Sequence, residues 1–190
     1  MNAIRTVVAA AALALVGATG CSRALPSASD PSLARGQSTP ELLERGRAFA
    51  VVGDWTRAEE YLSSALRAGA NPRRVLPLLV HVCIEASRYR VAAEYVRQYL
   101  PDDPENPKLR LLYAMLEAAV GNRDAAKVAY EAVLRDHPDE SAGHYALAVL
   151  LRDGGADTAG AGVHFREYLR LAPDGEHAAE ARAALREEAP

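Results

Sequence analysis

The chain is poor in cysteine, lysine and long apolar runs, and each shortage disfavours a class of protein. Its 190 residues include only two cysteines, Cys21 and Cys83, so a framework of several disulfides is excluded. Lys108 and Lys127 are the only lysines, and the formal net charge is −3. Nucleic-acid-binding proteins usually have a basic face or stripe, which this charge balance disfavours. We therefore expect no nucleic-acid partner.

Motifs for catalysis and metal binding are also missing. The sequence has no Gly-rich phosphate loop with its lysine, and none of its five histidines forms a His-x-x-x-His pair. His144, His164 and His177 lie near the end of the chain and could form a cluster, but the ligand spacing of a single metal site is absent. We expect no catalytic residues, no metal site and no cofactor.

One apolar run opens the chain and extends from Val7 to Val16. It is too short for a transmembrane helix, which needs roughly 20 apolar residues. Arg5 precedes the run, and four small residues follow it at 17–20. A charged start, a short apolar middle and a small-residue end are typical of a secretory signal peptide, which we predict over residues 1–20.

The end of this segment, Ala18-Thr19-Gly20-Cys21, resembles the lipobox of bacterial lipoproteins, with Ala18 at a position where the family usually has Leu. The resemblance implies that Cys21 becomes the first mature residue and carries the lipid. Several acyl chains hold a protein stably at a membrane, whereas one chain binds only marginally. Since Ser22 rather than Asp follows, the resemblance implies the outer membrane, facing the periplasm, in a Gram-negative host, and otherwise the outer face of the plasma membrane.

Residues 21–38 are predicted to hold the lipidated cysteine and a flexible linker. Ser, Pro, Ala and Gly dominate this stretch, and it shows no apolar period. Once the predicted signal is removed, the formal charge is −4, because Arg5 is the only charged residue lost. Cys83 would then be the only unmodified cysteine, and its apolar neighbours favour a buried, inert thiol over a reactive one.

A repeat organises the remainder of the chain. Four alanines are spaced by 34, 34 and 35 residues, and four leucines keep the same step. These residues are Ala58, Ala92, Ala126 and Ala161, with Leu66, Leu100, Leu134 and Leu169. A period in this range indicates stacked supersecondary units, each buried against its neighbours. Prolines at 104, 138 and 173 follow three of these leucines by four residues, which favours a turn after each second helix.

Polar residues at the expected helix starts support the same division. Ser38 and Glu41 fit a capping box at the first helix. Asp54 is predicted to cap the second helix of the first repeat, and Asn122 and Asp157 take the equivalent position in the third and fourth repeats. The unit is therefore predicted to be helix, tight turn, helix and turn, four times.

This pattern resembles the tetratricopeptide repeat family. The alanine of the second helix is followed four residues later by a large side chain: Leu62, Val96, Tyr130 and Phe165. The resemblance implies an all-α fold, a right-handed α-solenoid of about four helix pairs over 39–72, 73–106, 107–140 and 141–175. Residues 176–190 would form a capping helix and tail, with Ala178, Ala181 and Leu185 facing inward. Glu117 departs from the family, which has an aromatic residue at that site.

In this family the first helices line a concave groove that binds extended or helical protein segments. By helical phase, the resemblance implies a groove face of Leu43, Arg47, Arg74, His81, Glu85, Leu111, Met115, Tyr145, Val149 and Arg152. The alternative is that some of these residues only pack the array.

The sequence thus favours a lipid-anchored protein–protein interaction scaffold of the bacterial cell envelope, and not an enzyme. Its partners would be a protein or peptide in the envelope and, through the anchor at Cys21, the membrane. Envelope or pilus assembly is the process that this arrangement suggests. The alternative is a small envelope hydrolase or metal-binding protein on a helical scaffold.

Overall fold

The computed structural model describes residues 38–154 and 157–187. Within these residues it contains nine α-helices, one short 3-10 helix and no strand, so the all-α prediction is confirmed. The predicted signal peptide, the lipidation site at Cys21 and nearly all of the linker lie outside the described residues. The chain divides into two compact units, and the division falls between Tyr99 and Leu100.

The N-terminal unit contains four helices: α1 (Thr39–Val51), α2 (Trp55–Arg67), α3 (Pro72–Glu85) and α4 (Tyr89–Tyr99). The C-terminal unit begins with the 3-10 helix (Leu100–Asp102) and continues with α5 (Pro107–Val120), α6 (Arg123–Asp136), α7 (Ser141–Gly154), α8 (Thr158–Leu171) and α9 (Ala178–Glu187). Inside each unit every α-helix packs against the next one in the chain; α1 also contacts α3, and α5 contacts α7. No helix in the described residues combines the length and the apolar character needed to cross a membrane.

The repeat positions form the core of both units. Each second helix buries its alanine completely, at 0% exposure, for Ala58, Ala92, Ala126 and Ala161. The large side chain four residues later is also buried in every repeat, namely Leu62, Val96, Tyr130 and Phe165. Because residues four apart lie on the same face of a helix, these pairs confirm the predicted inward face of the second helices. The repeat leucines are less uniform, since Leu66 and Leu134 are buried but Leu100 and Leu169 are only half-buried.

Small residues on the first helices allow close helix packing, as the family pattern implies. A Cβ atom added to Gly46 on α1 would lie 2.6 Å from Cγ of Leu62 on α2. The two helices therefore approach each other at a point where only glycine fits without rearrangement. Leu134 makes a similar contact between repeats, since a Cβ atom on Gly143 would lie 2.9 Å from its Cδ2 atom.

Two of the three predicted aspartate and asparagine caps are confirmed. Asp54 accepts a hydrogen bond from the Arg57 N–H at 3.1 Å, and Asp157 accepts one from the Gly160 N–H at 2.8 Å. Asn122 lies at the predicted N-cap position of α6, but its side chain accepts no hydrogen bond from the first turn, and its amide instead donates to Glu117 Oε2 at 2.7 Å. A charge-assisted hydrogen bond is stronger than a neutral one, and this bond also accounts for the polar residue at position 117.

The C-terminal helix differs from its predicted bounds and inward face. It begins at Ala178, and the residues before it form turns. Ala178 and Ala181 are buried as expected, but Ala184 is the third buried residue and Leu185 is only half-buried. Residues 178, 181 and 184 are three apart, so a narrow stripe of alanines brings this helix close to α8.

Candidate functional site

The predicted groove residues of the N-terminal unit are accessible. Arg47 on α1 and both Arg74 and Glu85 on α3 are exposed, while Leu43 and His81 are half-buried. Arg47 and His81 are 34 residues apart, so they occupy equivalent positions on two helices that pack together. This unit therefore presents a mixed cationic and apolar face along α1 and α3.

The corresponding residues of the C-terminal unit are buried, which corrects the sequence interpretation. Leu111, Met115, Tyr145 and Val149 all belong to the core. Tyr145 is only 1% exposed, because α9 and the aromatic residues of α8 cover its ring. These four side chains pack the array, as the alternative reading allowed, and they offer no free surface to a partner.

Tyr145 is held from several sides. Its hydroxyl donates to Glu180 Oε2 at 2.6 Å, and its ring stacks on His177 with centroids 4.1 Å apart. Burial, with Glu180 as the second cause, raises the pKa of the Tyr145 hydroxyl above its ordinary value. The hydroxyl therefore stays protonated and acts as a hydrogen-bond donor to α9.

Arg152 is likewise occupied by its own chain. Its Nη1 atom donates to Glu180 Oε1 at 3.1 Å, and its guanidinium carbon lies 5.6 Å from the centre of the Phe165 ring. Burial raises the pKa of Glu180, but the hydrogen bonds from Tyr145 and Arg152 outweigh it, so the net pKa is lowered. Glu180 follows Tyr145 by 35 residues, which is the step of the last repeat. The helix α9 therefore takes the place that the first helix of a further repeat would have.

The accessible site is therefore the face of α1 and α3, which we call the α1–α3 surface and define as Arg47, Val51, Arg74, His81 and Glu85. Sequence analysis missed Val51, which is 86% exposed at the end of α1. The signal was available, because Val51 precedes Glu85 by one repeat of 34 residues. Val51 follows Arg47 by four residues on α1, so it adds apolar area on the same side of the helix.

His81 is the most constrained member of the α1–α3 surface. Its ring meets the Trp55 ring edge-on, with centroids 6.4 Å apart. Its Nδ1 atom is buried and has no hydrogen-bond partner within the described part of the chain. This atom is closed to solvent, so a segment bound at the surface would contact the exposed part of the half-buried His81 side chain instead.

The charges of the two units differ in sign. Residues 38–99 carry nine arginines against seven aspartates and glutamates, whereas residues 100–187 carry ten cations against sixteen carboxylates. The formal charge is therefore +2 over residues 38–99 and −6 over residues 100–187, although the whole chain is acidic. An acidic segment would be attracted to this unit and repelled by the other.

Cys83 lies in a buried polar cluster under α2, α3 and α4. The thiol is fully buried, and burial followed by the nearby Glu59 carboxylate raises its pKa to about 12. Arg88 forms an ion pair with Glu59, with its Nη1 atom 2.7 Å from Glu59 Oε2. Since the thiolate is the reactive form, this environment supports the inert interpretation of Cys83.

Two of the three histidines that the sequence grouped together are in contact. The Nδ1 atoms of His144 and His164 are 3.0 Å apart, whereas His177 stacks on Tyr145 instead. Within residues 38–154 and 157–187, no group of three or more His, Cys, Asp or Glu side chains is placed to hold a metal ion.

These helix pairs define an α-helical repeat protein. Residues 83–150 match the sequence model of the Tetratricopeptide repeat family, and the described helices have the fold of solved proteins with these repeats. The resemblance seen in the sequence is therefore supported by the family model over residues 83–150, and the described helices as a whole share the tetratricopeptide repeat fold. A comparison with curated protein sequences finds no match.

Solved structures with the same fold are distant in sequence. YrrB, described as a TPR protein with an unusual peptide-binding site, is 19% identical, with a TM-score of 0.65, over 76% of this chain and 74% of YrrB. MamA from Desulfovibrio magneticus is 18% identical, with a TM-score of 0.63, over 73% of this chain and 78% of MamA. A tetratricopeptide repeat protein from Parabacteroides merdae is 24% identical, with a TM-score of 0.68, over 80% of this chain and 60% of that one. At these identities the comparison shows the fold alone.

Proposed function

We propose that this protein is a protein–protein interaction scaffold whose α1–α3 surface binds an extended or helical segment of an acidic partner. The observation that carries the proposal is the contrast between the two units. Arg47, Arg74 and Val51 are accessible on α1 and α3, while Tyr145 and Arg152, at related positions of the last repeat, are held by Glu180.

The chemistry of the surface supports this class of partner. Arg47 and Arg74 supply donors for carboxylates, the half-buried His81 contributes part of its imidazole surface, and Val51 adds apolar area. Val51 lies one turn beyond Arg47 on α1, so both contact types lie on one side of that helix. The peptide-binding site named for YrrB, which has the same fold, supports a peptide ligand without identifying it.

We also propose that the scaffold is a lipoprotein of the bacterial cell envelope that serves envelope or pilus assembly. The support is the short apolar run from Val7 to Val16, followed by the lipobox-like residues 18–21. Both lie outside the described residues. A triacylated cysteine would hold the protein at the outer membrane facing the periplasm, or at the outer face of the plasma membrane in a host with a single membrane.

Binding at the α1–α3 surface predicts a large loss of affinity in the double variant Arg47→Ala plus Arg74→Ala. Arginine is a common anchor residue, and loss of an interface hot spot costs at least about 2 kcal/mol, or roughly 30-fold in affinity. The partner would be captured from envelope extract by crosslinking, identified by mass spectrometry and titrated as a purified segment. Circular dichroism would verify that each variant folds.

Arg135→Ala plus Arg186→Ala is the matched control, because both arginines are exposed in the C-terminal unit. It removes the same charge and should bind as the wild type does. If both double variants bind the partner equally weakly, the loss of affinity comes from the change in net charge and not from a specific site. If the α1–α3 variant binds as tightly as the wild type, the binding site lies elsewhere. If no partner is recovered and the protein instead hydrolyses an envelope substrate, the enzyme alternative is favoured.

Lipidation at Cys21 predicts that an alkyne fatty acid labels the protein in a bacterial host. Cys21→Ala should abolish the label completely, since the thiol is the acceptor. Cys83→Ala is the control, because its thiol is buried, and it should keep the label. Label that persists in Cys21→Ala would contradict the lipoprotein proposal while leaving the binding proposal untouched.

A further inference from the structure

A chain of hydrogen bonds joins three elements of the C-terminal unit. The Nε2 atom of His144 on α7 is 3.1 Å from the carbonyl oxygen of Pro138. Pro138 belongs to the turn between α6 and α7. Its other ring nitrogen, Nδ1, lies 3.0 Å from Nδ1 of His164 on α8. His144 is buried and His164 is half-buried, so water does not readily replace these contacts.

The partners fix the tautomers of both rings. The Pro138 carbonyl oxygen is an acceptor only, so Nε2 of His144 must carry the hydrogen. A neutral imidazole has one N–H and one lone pair, which leaves Nδ1 of His144 as an acceptor. His164 must then donate from Nδ1, and its own Nε2 atom holds the free lone pair.

Adding protons to this pair has two distinct effects. The first proton can go to Nε2 of His164, and the Nδ1–H···Nδ1 hydrogen bond between the rings survives. The second proton must go to Nδ1 of His144, which removes the only acceptor and places two cations in contact. The geometry therefore accommodates one added proton but not two, and the second proton breaks the hydrogen bond between the His144 and His164 rings.

Other charged groups around the rings affect the pKa of His164. The carboxylates acting on His164 come from α6, from the cap of α8 and from α8 itself: Glu131, Asp157 and Glu167. They favour the charged form, but burial and the neighbouring His144 outweigh them, and the pKa of His164 is lowered. Glu131 also lies 3.8 Å from Lys127. Glu180 on α9 is held by Tyr145 and Arg152.

We propose that the His144–His164 contact is a pH-sensitive link that strengthens the packing of α7 on α8 at neutral pH and is lost in acid. The unfolded chain binds protons at its ordinary histidine pKa of about 6.5, whereas the folded chain resists at least the second proton. The stabilisation from this contact is therefore complete above about pH 6.5 and is lost progressively as the pH falls through the lower folded pKa.

Hydrogen exchange of the full chain, read by mass spectrometry and corrected for intrinsic exchange, tests the link. Between pH 7.5 and 5.5 we expect the opening equilibrium of α7 and α8 to rise by up to about tenfold per pH unit below the unfolded histidine pKa, the limit for one linked proton. His164→Asn should flatten this dependence, because its amide nitrogen can donate to neutral His144 and its amide oxygen can accept from protonated His144, so the contact survives the added proton.

His177→Asn is the matched control: it removes a histidine of the same unit that is not in the pair, and it should keep the wild-type slope. An equal slope in wild type and His164→Asn would overturn the proposal. Nitrogen-15 spectra of the wild-type imidazoles provide a test that needs no variant. They should show Nε2–H on His144 and Nδ1–H on His164 at pH 7.5, and Nδ1–H on neutral His144 would also overturn it.

Discussion

Replacing Phe165 by alanine should lower the free energy of unfolding of the C-terminal unit by about 3–5 kcal/mol, the range for deletion of a buried aromatic ring. Phe165 is completely buried on α8. Its ring lies 6.1 Å from that of Tyr145 and beneath the guanidinium of Arg152. The deletion would therefore leave a cavity and also loosen the two residues that hold α9 through Glu180.

Val163→Ala is the matched control, since Val163 is on the same helix but 56% exposed. A surface change of this kind should stay within about 0.5 kcal/mol. Urea unfolding of a chain beginning at Ser22, followed by circular dichroism, would measure both variants. Similar shifts in the two midpoints would show that the inward face of α8 is assigned wrongly.

The sequence predicted the repeat register and the inward faces because both depend on local spacing. Ala126 and Tyr130 are four residues apart and share a helix face wherever that helix packs. Asp54 and Asp157 cap their helices for an equally local reason, since their carboxylates reach N–H groups three residues ahead. Asn122 differs because a carboxylate was within reach of its amide.

The depth of burial on the first helices could not be predicted in the same way. Helical phase places Arg47 and Tyr145 on related faces, but it does not say what covers them. Tyr145 is covered by His177 and Glu180, whose positions depend on how α9 docks. Within residues 38–154 and 157–187, the ion pair of Arg47 is with Glu44, three residues before it on α1, with Nη1 at 2.8 Å from Oε1.

The histidine pair shows a related limit of sequence analysis. Three histidines near the end of the chain suggested a cluster, and His144 and His164 do meet. Their tautomers follow from the Pro138 carbonyl, a backbone acceptor whose position depends on the turn between α6 and α7. A side-chain pattern alone does not contain that information, so the sequence indicated proximity and the structure supplied the chemistry.

Replacing Leu134 by alanine should cost about 2–5 kcal/mol, because Leu134 is buried where α6 meets the next repeat. Arg135→Ala, the adjacent exposed residue, should change stability by no more than about 0.5 kcal/mol. Urea midpoints of the two variants decide whether the 34-residue register is right, and equal midpoints would contradict it.

Gly143 allows a sharper test of the same contact. A methyl group on Gly143 would lie 2.9 Å from Leu134 Cδ2, so in Gly143→Ala the Leu134 side chain must shift, and this crowding reduces the stabilisation that alanine's better helix propensity would give. In the Leu134→Ala background the crowding is gone, and the new methyl group fills part of the cavity. The double variant should therefore be more stable than Leu134→Ala alone, with a coupling energy of at least about 0.5 kcal/mol. Additive effects of the two substitutions would mean that Leu134 does not pack on Gly143.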